Sequence, residues 1–152
     1  MKRLTNVEEV HALAFSSEEL VNKGVITSSD IDEAERRYIY PILGEALYNA
    51  SADGSYAALR TDFVLPAVAA WCRYVVQPVI SLRCQECHSD SRTSAQNDHL
   101  RELLRHLRRK ASTLSRCLSD HLNSHGNDYA EYNPRTNPLN HCSIDGNIIQ
   151  VY

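Results

Sequence analysis

Residues 100–122 read LRELLRHLRRKASTLSRCLSDHL. Within this stretch Leu100, Leu104, Leu107, Ala111, Leu114, Leu118 and Leu122 return at intervals of three or four, the period at which side chains line one face of an α-helix. Other periods describe the run less well. The spacing predicts a helix over about residues 94–123, with Gly126 just past its end and His121 and His125 near its negative terminus.

Upstream, residues 63–80 are the longest apolar stretch. Val64, Val68, Trp71, Val75 and Val79 make one helical stripe, which Leu65, Ala69 and Cys72 broaden. Asp62 is the expected start of this second long helix, Pro66 falls in its first turn, and residue 83 is near its end. Pro78 lies inside the run and predicts a bend, because it removes a backbone hydrogen bond and its ring meets the preceding turn. With Arg73, Gln77 and two prolines in it, the stretch is not expected to span a membrane. The polar residues 84–98 read as the connection between the two long helices.

Shorter elements precede them. Thr27-Ser28-Ser29 followed by Asp30, Asp32 and Glu33 is a helix start, with Ser28 or Ser29 as the expected cap. Ile31, Ala34, Tyr38 and Ile42 then recur helically. Pro41 is expected to end or bend that helix before a short segment at 43–50, with Gly44 relieving crowding at the junction. Nearer the N-terminus, Val7, Val10 and Leu13 suggest a short helix capped by Asn6, and Ser17 a second start. A helical piece is expected at 56–59 after the Asp53-Gly54 turn signal. Beyond residue 126 the steps Asn133-Pro134 and Asn137-Pro138 argue against another long helix. Ile148, Ile149 and Val151 could form a strand if a partner supplied the other edge.

The predicted fold is therefore all-α: a compact bundle with two long helices, a short proline-bent helical hairpin and an irregular C-terminal arm. A chain of 152 residues suits one core. The expected organisation is a helical domain over 1–126 and a tail or assembly arm over 127–152.

The formal net charge of −3 gives no bulk reason to invoke nucleic acid or an anionic membrane. No secretory signal is visible, and five cysteines, an odd number, favour free thiols in a reducing compartment. Cys84, Cys87 and His88 form a compact group that could ligate zinc, but four ligands are needed and the remainder would have to come from Cys117, His121 or Cys142. Ordinary thiols beside a polar loop are the simpler reading, so no metal and no cofactor are expected. His99 and His106, like Cys117, His121 and His125, are spaced for a common helix side and read as surface polarity. Asp30, Glu33 and Glu45 fit helix ends and solvated faces better than paired-carboxylate catalysis. With no glycine-rich phosphate loop, nucleophile elbow or His-Glu-x-x-His pattern, no enzyme is expected.

Charge distribution says more. Arg101, Arg105, Arg108, Arg109, Lys110 and Arg116 face only Glu102 between positions 101 and 116, an excess of five positive charges, whereas the first 60 residues hold ten acidic and six basic side chains. The basic helix could meet the acidic region of a neighbouring copy, or DNA phosphates, or simply water. Arg101, Arg105, Arg108 and Arg109 are the candidate contact residues.

Residues 31–48, IDEAERRYIYPILGEALY, resemble a segment of small phage and prophage head-to-tail connector, adaptor or head-completion proteins. The likeness is strongest at Ala34-Glu35, Tyr38-Ile39 and 41–48, and continues loosely through Pro66, Ala70, Trp71 and Tyr74, the arginine-rich helix and Tyr132-Asn133-Pro134. The resemblance implies a structural subunit that assembles as a homo-oligomeric ring between portal and tail-side proteins around the DNA passage. Its place would be the virion, or the host cytoplasm during assembly, without catalytic residues or a membrane. Packing explains the motif residues themselves: Tyr38, Ile42, Leu43 and Leu47 secure the core, Pro41 sets a bend and Gly44 permits close approach. The alternative is a soluble helical accessory or peptide-binding protein, in which Cys84, Cys87 and His88 could hold a structural metal.

Overall fold

The computed structural model describes residues 2–15, 23–86, 94–145 and 148–151, with side chains described for 2–15, 24–83 and 97–141. It is all-α in class: α1 (Val7–Ala14), α2 (Ser28–Ala34), α3 (Tyr40–Ala52), α4 (Ala57–Leu59), α5 (Leu65–Glu86) and α6 (Ser94–Ser124), then a two-stranded antiparallel hairpin of β1 (Cys142–Asp145) and β2 (Ile148–Val151). The helix placed at 94–123 is α6. The expected start at Ser17 lies outside the described residues.

Local chemistry sets the short helices. Asn6 caps α1 by accepting from the Glu9 amide at 2.9 Å while the Glu9 carboxylate accepts from the Asn6 amide, a reciprocal capping box. The cap of α2 is Thr27, one residue before either expected serine. The Asp30 amide donates to its hydroxyl at 3.3 Å, and the Asp30 carboxylate accepts from the Thr27 amide at 2.7 Å. Only Thr27 has an acidic residue three positions on whose side chain closes the box.

Two π turns, Glu35–Ile39 and Arg60–Val64, precede the prolines: Pro66 lies in the first turn of α5 as expected, whereas Pro41 does not end its helix. A proline ring collides with the carbonyl four residues earlier. For Pro41 that residue is Arg37 and for Pro66 it is Asp62, each inside a π turn. The helix does not stop at either proline. It opens to a wider turn, closed by Tyr40 N donating to Glu35 O and Leu65 N to Arg60 O, and continues. Asp62 accordingly sits within a turn instead of starting a helix. The break expected at Pro41 occurs at Gly44, whose φ of +73° and ψ of 166° kink α3; L-residues with a Cβ avoid that conformation. Crowding is secondary there, since an added Cβ would meet only Thr136 Oγ1, at 3.4 Å. Helix α5 runs through Pro78 with helix on both sides.

Helix α5 is the centre of the bundle, packed against α1, α2 and α6. Val64, Ala67, Val68, Ala69, Trp71, Cys72 and Val76 are buried, but the predicted stripe fails at its end, where Val79 is 46% exposed. Past Val76 the burial becomes partial: Gln77 is buried and Ile80 packs on the core, but Leu82 is exposed as well. Ala111, Leu118 and Leu122 of the α6 stripe are buried, whereas Leu100, Leu104, Leu107 and Leu114 are half-buried. The helical run Ala57–Arg83 is long and apolar enough to cross a membrane by length and composition, contrary to expectation, but 56% of its most apolar window is buried inside the bundle, as a core helix requires.

Glu35, like Asn137, has no exposed surface. Its Oε1 accepts from the Thr5 amide at 3.0 Å and the Thr5 hydroxyl at 2.8 Å, and its Oε2 from the Leu4 amide at 3.1 Å and the Tyr48 hydroxyl at 2.6 Å. Arg60 Nε, from the second π turn, donates to the Leu4 carbonyl at 2.5 Å, and its guanidinium pairs with Glu9. Burial, and then the hydrogen bond to Glu35, push the Tyr48 hydroxyl far above the usual phenol range, keeping it a donor.

The C-terminal arm is made of turns and is hydrogen-bonded to α6. Its Asn-Pro frame builds successive turns: Asn133 Oδ1 accepts from Arg135 N at 3.0 Å, and Asn137 Oδ1 from Leu139 N at 3.0 Å, capping a 3-10 turn at Pro138–Asn140. The Asn137 side chain is fully buried and donates to Ser119 Oγ at 2.8 Å and the Tyr132 hydroxyl at 2.9 Å. Asn140 and Asn123 exchange hydrogen bonds at 2.7 and 3.0 Å. The arm up to residue 141 is thus tied to α6, and β2 finds its partner in β1 of the same chain.

Two stability outcomes follow. Glu35→Gln replaces an acceptor-only carboxylate facing four donors by a group with donors of its own. It should cost about 3 kcal/mol, lowering Tm by roughly 6–12 °C, measurable by thermal unfolding. Removing residues 134–152, which the sequence suggested would spare the core, should lower monomer stability. Asn137→Ala alone should cost about 2 kcal/mol in urea unfolding; a midpoint equal to wild type would show the arm to be energetically detached.

Candidate interaction surface

Helix α6 exposes its cations beside its half-buried leucines, Arg101, Arg105 and Arg108 next to Leu104 and Lys110 next to Leu107, and the two halves of the cationic face differ. In the first half Arg101 pairs with Asp98 at 3.4 Å and Arg105 with Glu102, each three residues apart and well exposed. In the second half Arg108, Arg109, Lys110 and Arg116 are exposed and form no ion pair among the described residues. Of the four arginines singled out in sequence, Arg101 and Arg105 are therefore largely compensated locally and Arg108 and Arg109 are not. Arg116, outside that set, belongs with the latter.

The tertiary structure adds aromatic residues to this cationic half. The first π turn lays the Tyr38 ring on Trp71 of α5, centroids 3.6 Å apart and planes within 2°. Trp71 Nε1 donates to Ser115 of α6 at 2.9 Å, which fixes the stack against the helix. A recess of about 210 Å³ opens there between Arg37, Tyr38, Trp71, Ser112 and Arg116. A shallower recess of about 380 Å³ adjoins it through Ser112 and Arg116 and reaches Arg108 and Arg109. Burial pushes the Tyr38 hydroxyl upward, while Arg37 and Arg108 draw it down and Tyr74 and Glu33 add to the rise. Arg37 also lies 5.5 Å from the Tyr38 ring centre. The surface can hold anionic groups against an aromatic wall.

Of the packing residues named from sequence, Ile42, Leu43 and Leu47 are in the core, with Tyr38 and Pro41 at the rim of the smaller recess. Gly44 faces the arm. Glu35 was missed, although its place four residues after Ile31 on the buried stripe was a readable signal. Cys72 is buried and its thiol is pushed up to about 12 by burial, then by Asp30 and Glu35, so it is a poor nucleophile; Cys117 is exposed. The Cys84 side chain, Cys87 and His88 lie outside the described residues. Among the described residues no group of three potential ligands is placed to hold a metal ion.

The histidines of α6 separate. His99 and His106 are exposed, whereas His121 is stacked on Phe63 of the second π turn at 4.1 Å and on His125 at 4.5 Å, with the Tyr129 hydroxyl 2.9 Å from its Nε2. A further groove of about 620 Å³ lies between α1, α5 and α6, walled by Leu13, Phe15, Ala70, Arg73, Leu107 and Lys110. No single helix shows it, which is why the sequence did not.

Comparison with models of known protein families, with curated proteins and with solved structures finds no match to this chain.

Acid should loosen the end of α6. Burial, and then the neighbouring His125, hold the His121 pKa below its ordinary 6.5, against the opposite pull of Asp128 and Asp62. The fold thus favours neutral His121. Its contribution to stability is complete above about 6.5 and is lost as pH falls toward the lower folded value. Thermal melts from pH 7.5 to pH 5 should show Tm declining, and declining less in His121→Phe, which keeps an aromatic ring but cannot take a proton. Parallel curves would remove His121 from the pH response.

Proposed function

We propose that this chain is a structural, non-catalytic subunit of a phage or prophage head-to-tail connector ring, self-associating and bridging portal and tail-side proteins around the DNA passage. The observation that carries the reading is the second half of the α6 face, where Arg108, Arg109, Lys110 and Arg116 stand exposed without ion-pair partners among the described residues. Long unpaired cations beside an aromatic recess suit contact with another charged body. The resemblance of residues 31–48 to connector proteins supplies the kind of assembly. The same residues build the Glu35 network and the Tyr38–Trp71 stack, so their pattern has a packing reason in addition to that likeness.

A second reading is favoured by the groove between α1, α5 and α6: a helical accessory protein that takes an apolar peptide segment. Mass in solution separates the two, since the accessory reading requires a monomer that gains mass only with a peptide.

Replacing Arg108, Arg109 and Arg116 by Gln should reduce self-association in sedimentation while leaving helical content intact. Replacing Arg101 and Arg105, already paired to Asp98 and Glu102, should have the smaller effect. Each exposed pair contributes roughly 0–1 kcal/mol, but a closed ring repeats the loss at every interface. If the face meets DNA phosphates instead, association should persist and salt-sensitive duplex binding should fall. Unchanged mass and no DNA binding in wild type or variant would reject both uses of the face.

A further inference from the structure

The acidic counterpart of the α6 face cannot be the N-terminal region as a whole, because that region uses most of its carboxylates internally. Glu35 is buried among four donors, Glu9 pairs with Arg60, Asp53 with Lys2, Asp32 with Arg3 and Glu33 with Arg37, and Asp30 closes the cap of α2. A different set of carboxylates is open. Asp62 and Asp128 are exposed, without ion pairs among the described residues. Both sit at the C-terminal end of α6: Asp62 precedes Phe63, whose ring stacks on His121 at 4.1 Å, and the Asp128 amide donates to the His125 carbonyl at 2.9 Å, next to Tyr129, whose hydroxyl lies 2.9 Å from His121 Nε2. Glu131 joins them: it is exposed and accepts from the Tyr56 hydroxyl at 2.6 Å, and the Tyr56 ring meets Tyr129 edge-on at 5.1 Å. Between these carboxylates lie the rings of Phe63, His121 and Tyr129.

We propose that the cationic half of α6, at Arg108, Arg109 and Arg116, docks against this carboxylate-rimmed aromatic end of a second copy of the chain. The inference rests on the assembly reading above and names its interface. Complementary charge argues for the pairing, and so does the apolar floor. A guanidinium is weakly hydrated and planar, so it can lie on an aromatic face while its edge bonds a carboxylate. The two patches are different parts of one chain. Used once between neighbouring copies the contact is heterologous and generates a closed ring or an open filament, whereas the same patches paired reciprocally between two copies give a two-fold dimer, which the mass in solution distinguishes.

Charge exchange tests it. The variant R108E/R116E has two acidic patches, and D62K/D128K has two basic ones. All four positions are exposed, and circular dichroism with thermal melting checks that each variant folds. In sedimentation at low salt each variant alone should associate at least about tenfold more weakly than wild type, because like charges then meet. An equimolar mixture should recover association well above either variant alone, since every contact between unlike copies is again complementary, and should reach the wild-type mass in a filament or an even-numbered ring. The neutral variant D62N/D128N/E131Q should fall between, with a smaller dependence on salt. A wild type that associates, together with D62K/D128K that associates equally well, would overturn this interface and leave the assembly reading standing. Loss in both variants without recovery in the mixture would also overturn the interface. A wild type that is monomeric at every concentration would overturn both.

Discussion

The N-terminal half of this protein depends on one buried carboxylate. Glu35 is enclosed with no exposed surface, and what makes that tolerable is that four donors from two parts of the chain converge on its two oxygens. Two of the donors are the amides of Leu4 and Thr5, which precede α1 and have no helical partner of their own. The Tyr48 hydroxyl comes from α3. One side chain thereby fixes where the chain enters the bundle, how α3 returns after Gly44, and through Arg60 how the second π turn sits on the first helix. An apolar residue in its place would leave those amides buried and unpaired.

The prolines shape the same region by steric exclusion rather than by ending helices. Pro41 and Pro66 each stand two residues beyond a π turn that contains the carbonyl their rings would otherwise strike. A π turn adds a residue to the circuit and so changes which side chains face inward afterwards. The first of these turns includes Glu35 and brings Tyr38 flat onto Trp71; the second includes Asp62 and brings Phe63 onto His121. Both candidate contact regions therefore inherit an aromatic residue from a proline-induced widening of the helix.

Charge in this molecule is distributed by consumption as much as by composition. The acidic excess of the first 60 residues looked available for a basic partner, but capping, ion pairing and the Glu35 network use most of it within the chain. The arginines of α6 divide in the same way, with Arg101 and Arg105 answered by acids three residues away and Arg108, Arg109 and Arg116 without an ion pair among the described residues. Patches that remain after such internal pairing keep their charge available to a partner.

Helical class, the two long helices and the bounds of α6 were legible in the sequence, because a period of three to four in apolar residues is a property of one segment and needs no neighbour to express it. The cap at Asn6 was legible for the same local reason, as was the end of long helix before the Asn-Pro steps. Three things were decided only by tertiary structure: that Glu35 is the polar centre of the core, that the arm after residue 126 is bolted to α6 through Asn137 and Asn140, and that aromatic rings from other elements flank the α6 cations. Each joins residues more than ten positions apart, except the Tyr132–Asn137 bond inside the arm. A hydrogen bond or ring stack between distant segments exists only once packing has brought them together, and no spacing rule along the chain records where that will happen.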